Sequence, residues 1–496
     1  MSWNVKNILI FLCVLSCIFI HCNKSFAIQE VKKNTVELKT QENIVIKEGD
    51  NLTLQDCINI ALQNSPSIKM YKNLVVRANA IIGEAKSSYF PSLQAGTGYY
   101  GTFSRISGFG NTSSNSYELN ASLSQLIYSF GKVGTLIKKA KLNKIAAEYD
   151  LNYETIKTIY DVKNAYFSVL AAVAFLKVQE ATVLIDERNF QQTQAFFEEG
   201  LKSKIDVVNA EVLLSNAKIS YVNAQNIYDL AVISLNNAMY IENAPSYSIS
   251  KLESFNFDDN FAKIALKNIE QFSENFKVPE LPKGATYTST VKKYELINQD
   301  YNIKKFPLTL EEAEQHAREH RPDLKSYISA RDALAQALKY QKIQLLPDLT
   351  ANGGYSLRTI DTNSNTFNVS GALSFPIINL MRYKNQIIEA KADLNVANNQ
   401  VEKLQKDIYF EVQAAYVSMV RLEKQIPLSE VEVRQSFENL ELALGRYEVG
   451  LGNFLEVNTA INNYNKAQEN YVKLIFDYNV ARAKVELEIA QNEQVK

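Results

Sequence analysis

Two periodicities alternate along the chain, one of seven and one of two. Ala210, Ala217, Ala224, Ala231 and Ala238 recur every seven residues, and Leu214, Tyr221, Tyr228 and Leu235 stand four residues after the first four. Further on, Ala460, Ala467, Leu474 and Ala481 repeat the spacing, with Tyr464, Tyr471, Tyr478 and Val485 between them. A heptad with small residues at one seam position predicts helices that approach closely. No proline occurs from Gly131 to Ala244. A helix from about Lys132 to Glu198 would be roughly 100 Å long, and one from about Lys204 to Met239 roughly 55 Å. A further helix, ending at Pro91, would be roughly 36 Å. The two shorter lengths sum to roughly the long one, so they can stack end to end beside it, as the wall of a tube rather than a globule.

The period-two segments are "SLQAGTGYYGTFS" with "SYELNASLSQLIYSF", and "DLTANGGYSLR" with "TFNVSGALSFPII". Tyr117, Leu119, Ala121 and Leu123 share one face; so do Phe367, Val369, Gly371, Leu373 and Phe375. Apolar residues alternating with small or polar ones over about ten positions mark transmembrane β-strands. The predicted pairs are 92–103 with 116–128 and 348–357 with 367–378. Four strands make a poor soluble sheet but a useful share of an oligomeric barrel.

The alternation of elements occurs twice. "LTLQDCINIALQNSPSIK" from Leu52 matches "LTLEEAEQHAREHRPDLK" from Leu308, and the same offset carries Pro66 onto Pro322 and Pro91 onto Pro347. A shortening between Thr102 and Tyr117 then sets the offset that places Gly200-Leu201 on Gly450-Leu451. The domains read as a first repeat over 51–240, a linker over 241–306 and a second repeat over 307–490, with an extension at 28–50 and a tail at 491–496. Thr53 and Thr309 are expected to cap short helices, and Pro66 and Pro322 to open the next ones. Pro427 breaks the symmetry and is expected to kink or interrupt the second long helix.

Composition narrows the setting. Lys+Arg (53) and Asp+Glu (54) cancel and no basic block stands out, so no nucleic-acid partner is expected. "MSWNVKNILIFLCVLSCIFIHCNKSFA" has a lysine, an apolar run from Ile8 to Ile20 and small residues before Ala27. It reads as a signal peptide over 1–27. Cys17 and Cys22 are possible lipidation positions; Cys57 is the cysteine left after cleavage, so no internal disulfide is expected. No later apolar run is expected to be long enough for a membrane helix.

One enzyme-like motif stands out. His316, Glu319 and His320 in "HAREH" fit a zinc-hydrolase pattern. Its surroundings are charged, the first repeat has Ile60 and Asn64 at the histidine positions, and no third ligand is signalled. The expected answer is no enzyme, no metal and no cofactor. A periplasmic coiled-coil scaffold without a pore remains the other alternative.

The leader, the duplication, the strand pairs, "QLIYSFGK" and the heptad helix "GLKSKIDVVNAEVLLSNAKISYVNA" together resemble the outer-membrane efflux protein family of TolC-like channels. The resemblance covers residues 51–240 and 307–490. It implies an α+β membrane protein: a homotrimer whose protomers each give four strands to a 12-stranded transmembrane β-barrel in outer-membrane lipid. A long periplasmic α-helical coiled-coil barrel continues it. The implied role is the exit duct of a tripartite efflux pump or type I secretion system in a Gram-negative-type bacterium. The implied partners are a periplasmic adaptor (membrane fusion) protein and an inner-membrane transporter of RND or ABC type.

The same resemblance gives the helical turns a role. Asp206 and Glu456 match the family's aperture acids, and Tyr447 a tyrosine that helps lock the closed state. That tyrosine's usual arginine partner position is Gly452 here. Gly200, Leu201 and Ser203 on one tip, and Gly450, Leu451 and Asn453 on the other, match adaptor-contact segments. Three copies of Asp206 and Glu456 would form a ring favouring cations. The plainer reading is that each acid favours the dipole of its helix's first turn.

Overall fold

The computed structural model describes residues 47–106, 110–249, 306–359, 363–374 and 380–491. The leader, Cys17, Cys22, nearly all of the extension and tail, and most of the linker lie outside the described residues. The first repeat contains β1 (Asn51–Leu52), α1 (Leu54–Asn64), α2 (Pro66–Ser87), β2 (Ser92–Ile106), β3 (Gly110–Tyr128), α3 (Lys132–Glu198) and α4 (Lys204–Met239). After β4 (Ser248–Ile249), which pairs with β1, the second contains α5 (Leu310–His320), α6 (Pro322–Ile343), β5 (Asp348–Thr359), β6 (Asn363–Ser374), α7 (Leu380–Glu448) and α8 (Phe454–Glu488).

Local chemistry explains why the repeats begin alike. Thr53 and Asp56 form a reciprocal capping box at α1, and Thr309 and Glu312 form the same box at α5. The backbone N–H of Thr53 donates to Asp56 Oδ2 at 3.0 Å, and that of Thr309 to Glu312 Oε2 at 2.8 Å. Pro66 and Pro322 then start α2 and α6, where a missing N–H costs nothing.

The sheet runs β2-β3-β5-β6, antiparallel throughout. Both strand pairs extend further toward their turns than the alternation predicts, to Ile106/Gly110 and Thr359/Asn363. The turn-flanking Asn, Ser and Thr residues join the ladder because backbone pairing does not depend on alternating hydrophobicity. Residues 375–379, at the expected end of the fourth strand, lie outside the described residues.

In register, Leu93, Leu123, Gly353 and Val369 line up across the sheet, as do Ala95, Ala121, Tyr355 and Phe367. The opposite face carries Gly96, Asn120, Ser356 and Thr366 in one such row, and Gln94, Ser122, Gly354 and Asn368 in another. One face is therefore apolar and the other rich in Asn, Ser and Gly. This is the two-sided pattern of a strand between lipid and water.

The helices form one layer. α3 packs against α2 and α6, and against α4 and α8; α7 packs against α6 and α8. Toward the strands the order is α2-α3-α6-α7, and toward the helical turns it is α4-α3-α8-α7. The layer ends on α2 and α4 at one side and on α7 at the other. These are the sides on which the sheet ends with β2 and β6.

Two expectations need correcting: the interruption at Pro427 and the absence of a membrane-length apolar run. α7 continues through Pro427, which lies within the helix and faces outward. The donor that proline removes is on the exposed side, where water can satisfy the freed carbonyl, and packing on the buried side carries the helix across. An apolar stretch of α3, of mean hydropathy 1.7, does meet the length and composition of a membrane span. Its Tyr166, Val169, Ala174 and Val178 are instead buried against residues of α1, α4 and α8. The hydrophobicity is that of a core helix with neighbours on several sides.

An ion cluster joins α6 to the layer. Arg321 is buried; its Nη1 donates to Glu488 Oε2 at 2.7 Å and to Glu411 Oε2 at 2.9 Å, and its Nη2 to Asp323 Oδ2 at 2.6 Å. Burial works against the charge, but the Asp323 and Glu488 carboxylates outweigh it and hold the guanidinium above its ordinary pKa.

Candidate functional site

The candidate residues meet at the turns joining α3 to α4 and α7 to α8. Each turn is built from the same parts. At the end of α3, Gly200 N–H donates to Phe197 O at 2.9 Å and Leu201 N–H to Phe196 O at 2.8 Å. At the end of α7, Gly450 N–H donates to Tyr447 O at 3.2 Å and Leu451 N–H to Arg446 O at 2.9 Å. This double closure requires a left-handed residue. Gly200 (φ 74°) and Gly450 (φ 75°) supply it without the strain of a Cβ.

Polar caps start the next helices. Asp206 Oδ2 accepts from the Ser203 backbone N–H at 3.2 Å and from its hydroxyl at 2.8 Å. Asn453 Oδ1 accepts from Glu456 N–H at 2.9 Å. Glu456 is held by Arg446, with Nε to Oε1 at 3.2 Å. Both acids thus sit in the first turn of a helix, partly exposed, with local partners. The dipole-and-cap reading has direct geometric support.

Tyr447 is the centre of the site and is 1% exposed. Its ring lies between Phe196 and Phe454, at centroid separations of 6.5 and 6.4 Å. Lys202 Nζ, from the other hairpin, stands 3.9 Å from the ring centroid, within cation–π range. Burial raises the Tyr447 phenol above its ordinary pKa, and the charge of Asp206 adds to the shift. Gly452 sits close beneath: a Cβ there would meet Tyr447 N at 3.0 Å and Arg446 Cβ at 3.1 Å. Leu201 and Leu451 are 63% and 76% exposed at the two tips.

Sequence reasoning named Asp206, Tyr447 and Glu456 and missed the two cations, Lys202 beside Tyr447 and Arg446 beside Glu456. Lys202 could have been found from the internal repeat, because it stands in the first tip where Gly452 stands in the second. Arg446 carries no comparable signal.

The histidine motif is engaged otherwise. His316 Nδ1 lies 2.8 Å from Ile489 O, His320 Nδ1 lies 3.1 Å from His316 O, and the rings stack at 4.2 Å. Glu319 Oε1 accepts from Gln315 Nε2 at 3.0 Å. Among the described residues, no group of three or more His, Cys, Asp or Glu is arranged to hold a metal.

A sheet with one apolar and one polar face, continued by a layer of very long helices, defines a channel protein of the outer membrane with a periplasmic helical part. The chain belongs to the outer membrane efflux protein family, whose model matches residues 57–239 and 314–491. It is 29% identical over 140 residues to outer membrane protein TolC of Vibrio cholerae. That match spans 27% of this chain and about a third (32%) of that relative.

The fold is similar to that of the Campylobacter jejuni CmeC outer membrane channel (TM-score 0.70, 16% identity, covering 93% of this chain and 92% of that one). It is also similar to that of CusC (TM-score 0.70, 15% identity, 91% and 95%). Family and fold are those of channels, not enzymes. Channels of this family form trimers and work with adaptor proteins and inner-membrane pumps.

Proposed function

We propose that three copies of this chain close into one conduit that passively carries solutes from the periplasmic side to the outside. The observation that carries the reading is the matching open edges. Sheet and helical layer each end at the same two sides, β2 with α2 and α4, and β6 with α7. A four-stranded sheet with unpaired edges is not viable in lipid, and a head-to-tail contact between unlike edges closes a ring. Three protomers give twelve strands, an even number within the range of outer-membrane barrels. Apolar rows left open on both edge helices support the same contact: Ile205, Val212, Ile219 and Val222 on α4, and Phe410, Val417, Leu428 and Leu442 on α7.

The helical tips are the periplasmic gate and docking end of this conduit. Leu201 and Leu451 offer exposed apolar contacts to a periplasmic adaptor protein, beside Gly200, Ser203, Gly450 and Asn453. An RND or ABC transporter in the inner membrane supplies the energy. Lys202 and Phe196 on Tyr447 join the two hairpins, while the Arg446–Glu456 pair braces the second turn, so Gly452 need not carry the latch.

The purified protein should form heat-modifiable trimers from outer-membrane fractions and conduct ions in planar bilayers. A monomer soluble without detergent, giving no conductance, would replace this reading with the poreless scaffold.

A further inference from the structure

The polar face of the sheet, which lines the lumen in the reading above, is almost free of charge. Among the described strand residues the ionisable Asp, Glu, Lys and Arg side chains are Arg105, Glu118, Asp348 and Arg358. Arg105 has the parity of the apolar face, beyond Phe103 near the outer turn. Asp348 stands at the inner rim and pairs with Lys132 at 2.9 Å. Glu118 and Arg358 remain. They are direct cross-strand partners of β3 and β5, on the face that carries Asn120, Ser122, Ser356 and Gly354. Arg358 Nη2 also donates to Ser116 Oγ at 3.3 Å.

Their depth is fixed by the aromatic residues on the other face. Tyr99 and Tyr117 lie beside this level with ring centroids 5.0 Å apart, and Tyr128 and Phe130 lie beside the Lys132–Asp348 level at 4.7 Å. From Asp348 to Arg358 the strand rises about 33 Å, or about 25 Å along the axis of a barrel with the usual tilt. That is the height of an apolar band between two aromatic girdles. Each girdle therefore has one opposite-charge pair behind it, with an uncharged wall between.

We propose that Glu118 and Arg358 are the specificity-determining pair of the barrel: a charge-balanced ring at its outer mouth that lets anionic and cationic cargo leave alike. The inference rests on the trimeric channel proposed above. Three carboxylates facing three guanidinium groups cancel at long range, so neither sign of solute meets a barrier. Removing one member leaves a ring of three like charges with no other charge on that face at its level among the described strand residues.

The test is the reversal potential of purified trimers in planar bilayers under a potassium chloride gradient. Glu118→Gln should lower the potassium-to-chloride permeability ratio by about twofold or more, and Arg358→Gln should raise it comparably. The double variant should return to the wild-type ratio, and Arg358→Lys should keep it. Single variants that conduct with an unchanged ratio would overturn the proposal. So would Arg358→Lys behaving like Arg358→Gln, since the hydrogen bond to Ser116 and not the charge would then matter. Wild-type protein that neither trimerises nor conducts would instead remove the channel reading itself.

Discussion

Val222 on α4 and Val472 on α8 occupy equivalent places in the two repeats, one residue after the paired Tyr221 and Tyr471. Val222 is 61% exposed and Val472 3%. α8 is enclosed because α3 and α7 pack on either side of it, whereas α4 has α3 on one side only along the lower half of the layer. The duplication thus yields two helices with one seam and two different jobs. α8 is interior wall, and α4 is an edge that awaits a neighbour. Hydrophobicity at an edge records a contact outside the protomer.

Introducing a charge at each position separates the two jobs with the largest effect. Val472→Asp puts a carboxylate in the protomer core and should cost roughly 3 kcal/mol or more. The expected result is loss of helical circular dichroism at ordinary temperature. Val222→Asp should leave the helix signal intact and remove the heat-modifiable trimer. Equal loss of helix signal in both variants would mean that α4 is not an assembly edge.

The second contrast lies where the repeats begin. Ser65 and Arg321 are equivalent, both buried, and both precede the proline that opens a helix. Ser65 opens α2 with a neutral cap, accepting from Ile68 N–H at 3.3 Å. Arg321 instead gathers Asp323, Glu411 and Glu488. Arg321→Ser would copy the first repeat but leave buried Glu488 with Lys484 and without the guanidinium, at a cost of about 3 kcal/mol. Thermal unfolding checks it: Ser65→Ala should lower stability by only about 1 kcal/mol.

Much of this layout is legible in the sequence because it repeats. Heptad spacing marks α4 and α8, alternation marks the strands, and the tip glycines mark the turns. What is hidden is which side of each helix meets another protomer, since Val222 and Val472 look identical in one dimension. Pro427 misled for a related reason: proline is disruptive where its missing donor is buried, and the sequence does not say which way it faces. The tip acids were legible as first-turn residues, but Lys202 reaches Tyr447 from the other hairpin, a contact no local pattern encodes.

Asp186 and its counterpart Ser436 give a third contrast. The Ser436 hydroxyl donates back to the Glu432 carbonyl, while buried Asp186 has an Oδ1 with no hydrogen-bond partner. Burial pushes the Asp186 carboxyl from 3.8 up to about 6. Its folded-state pKa is raised, so the stability it allows is complete below about pH 4 and is lost as pH climbs through 6. Asp186→Asn should therefore gain up to about 2–3 kcal/mol above pH 6 and little at pH 4. Melting curves at pH 5 and pH 8 test it. A variant whose gain does not grow with pH would show that Asp186 is not held uncharged.

The smallest expected effect is at the tips, where the comparison is between Lys202 and Gly452. The two positions are equivalent, yet one carries a long cation and the other has only tight space for a Cβ beside Tyr447 and Arg446. The asymmetry is what lets one tyrosine bridge both hairpins: Tyr447 belongs to α7, and its cation comes from the α3–α4 turn. A partly exposed cation–π contact contributes about 0.5–2 kcal/mol. Lys202→Met should therefore weaken the link between tips without unfolding the helices, and Lys202→Arg should preserve it. Single-channel recordings are the measure, with more frequent opening or higher resting conductance expected for Lys202→Met alone. If Lys202→Met and wild type open alike, the hairpins are held by the Phe196–Tyr447 ring contact rather than by Lys202.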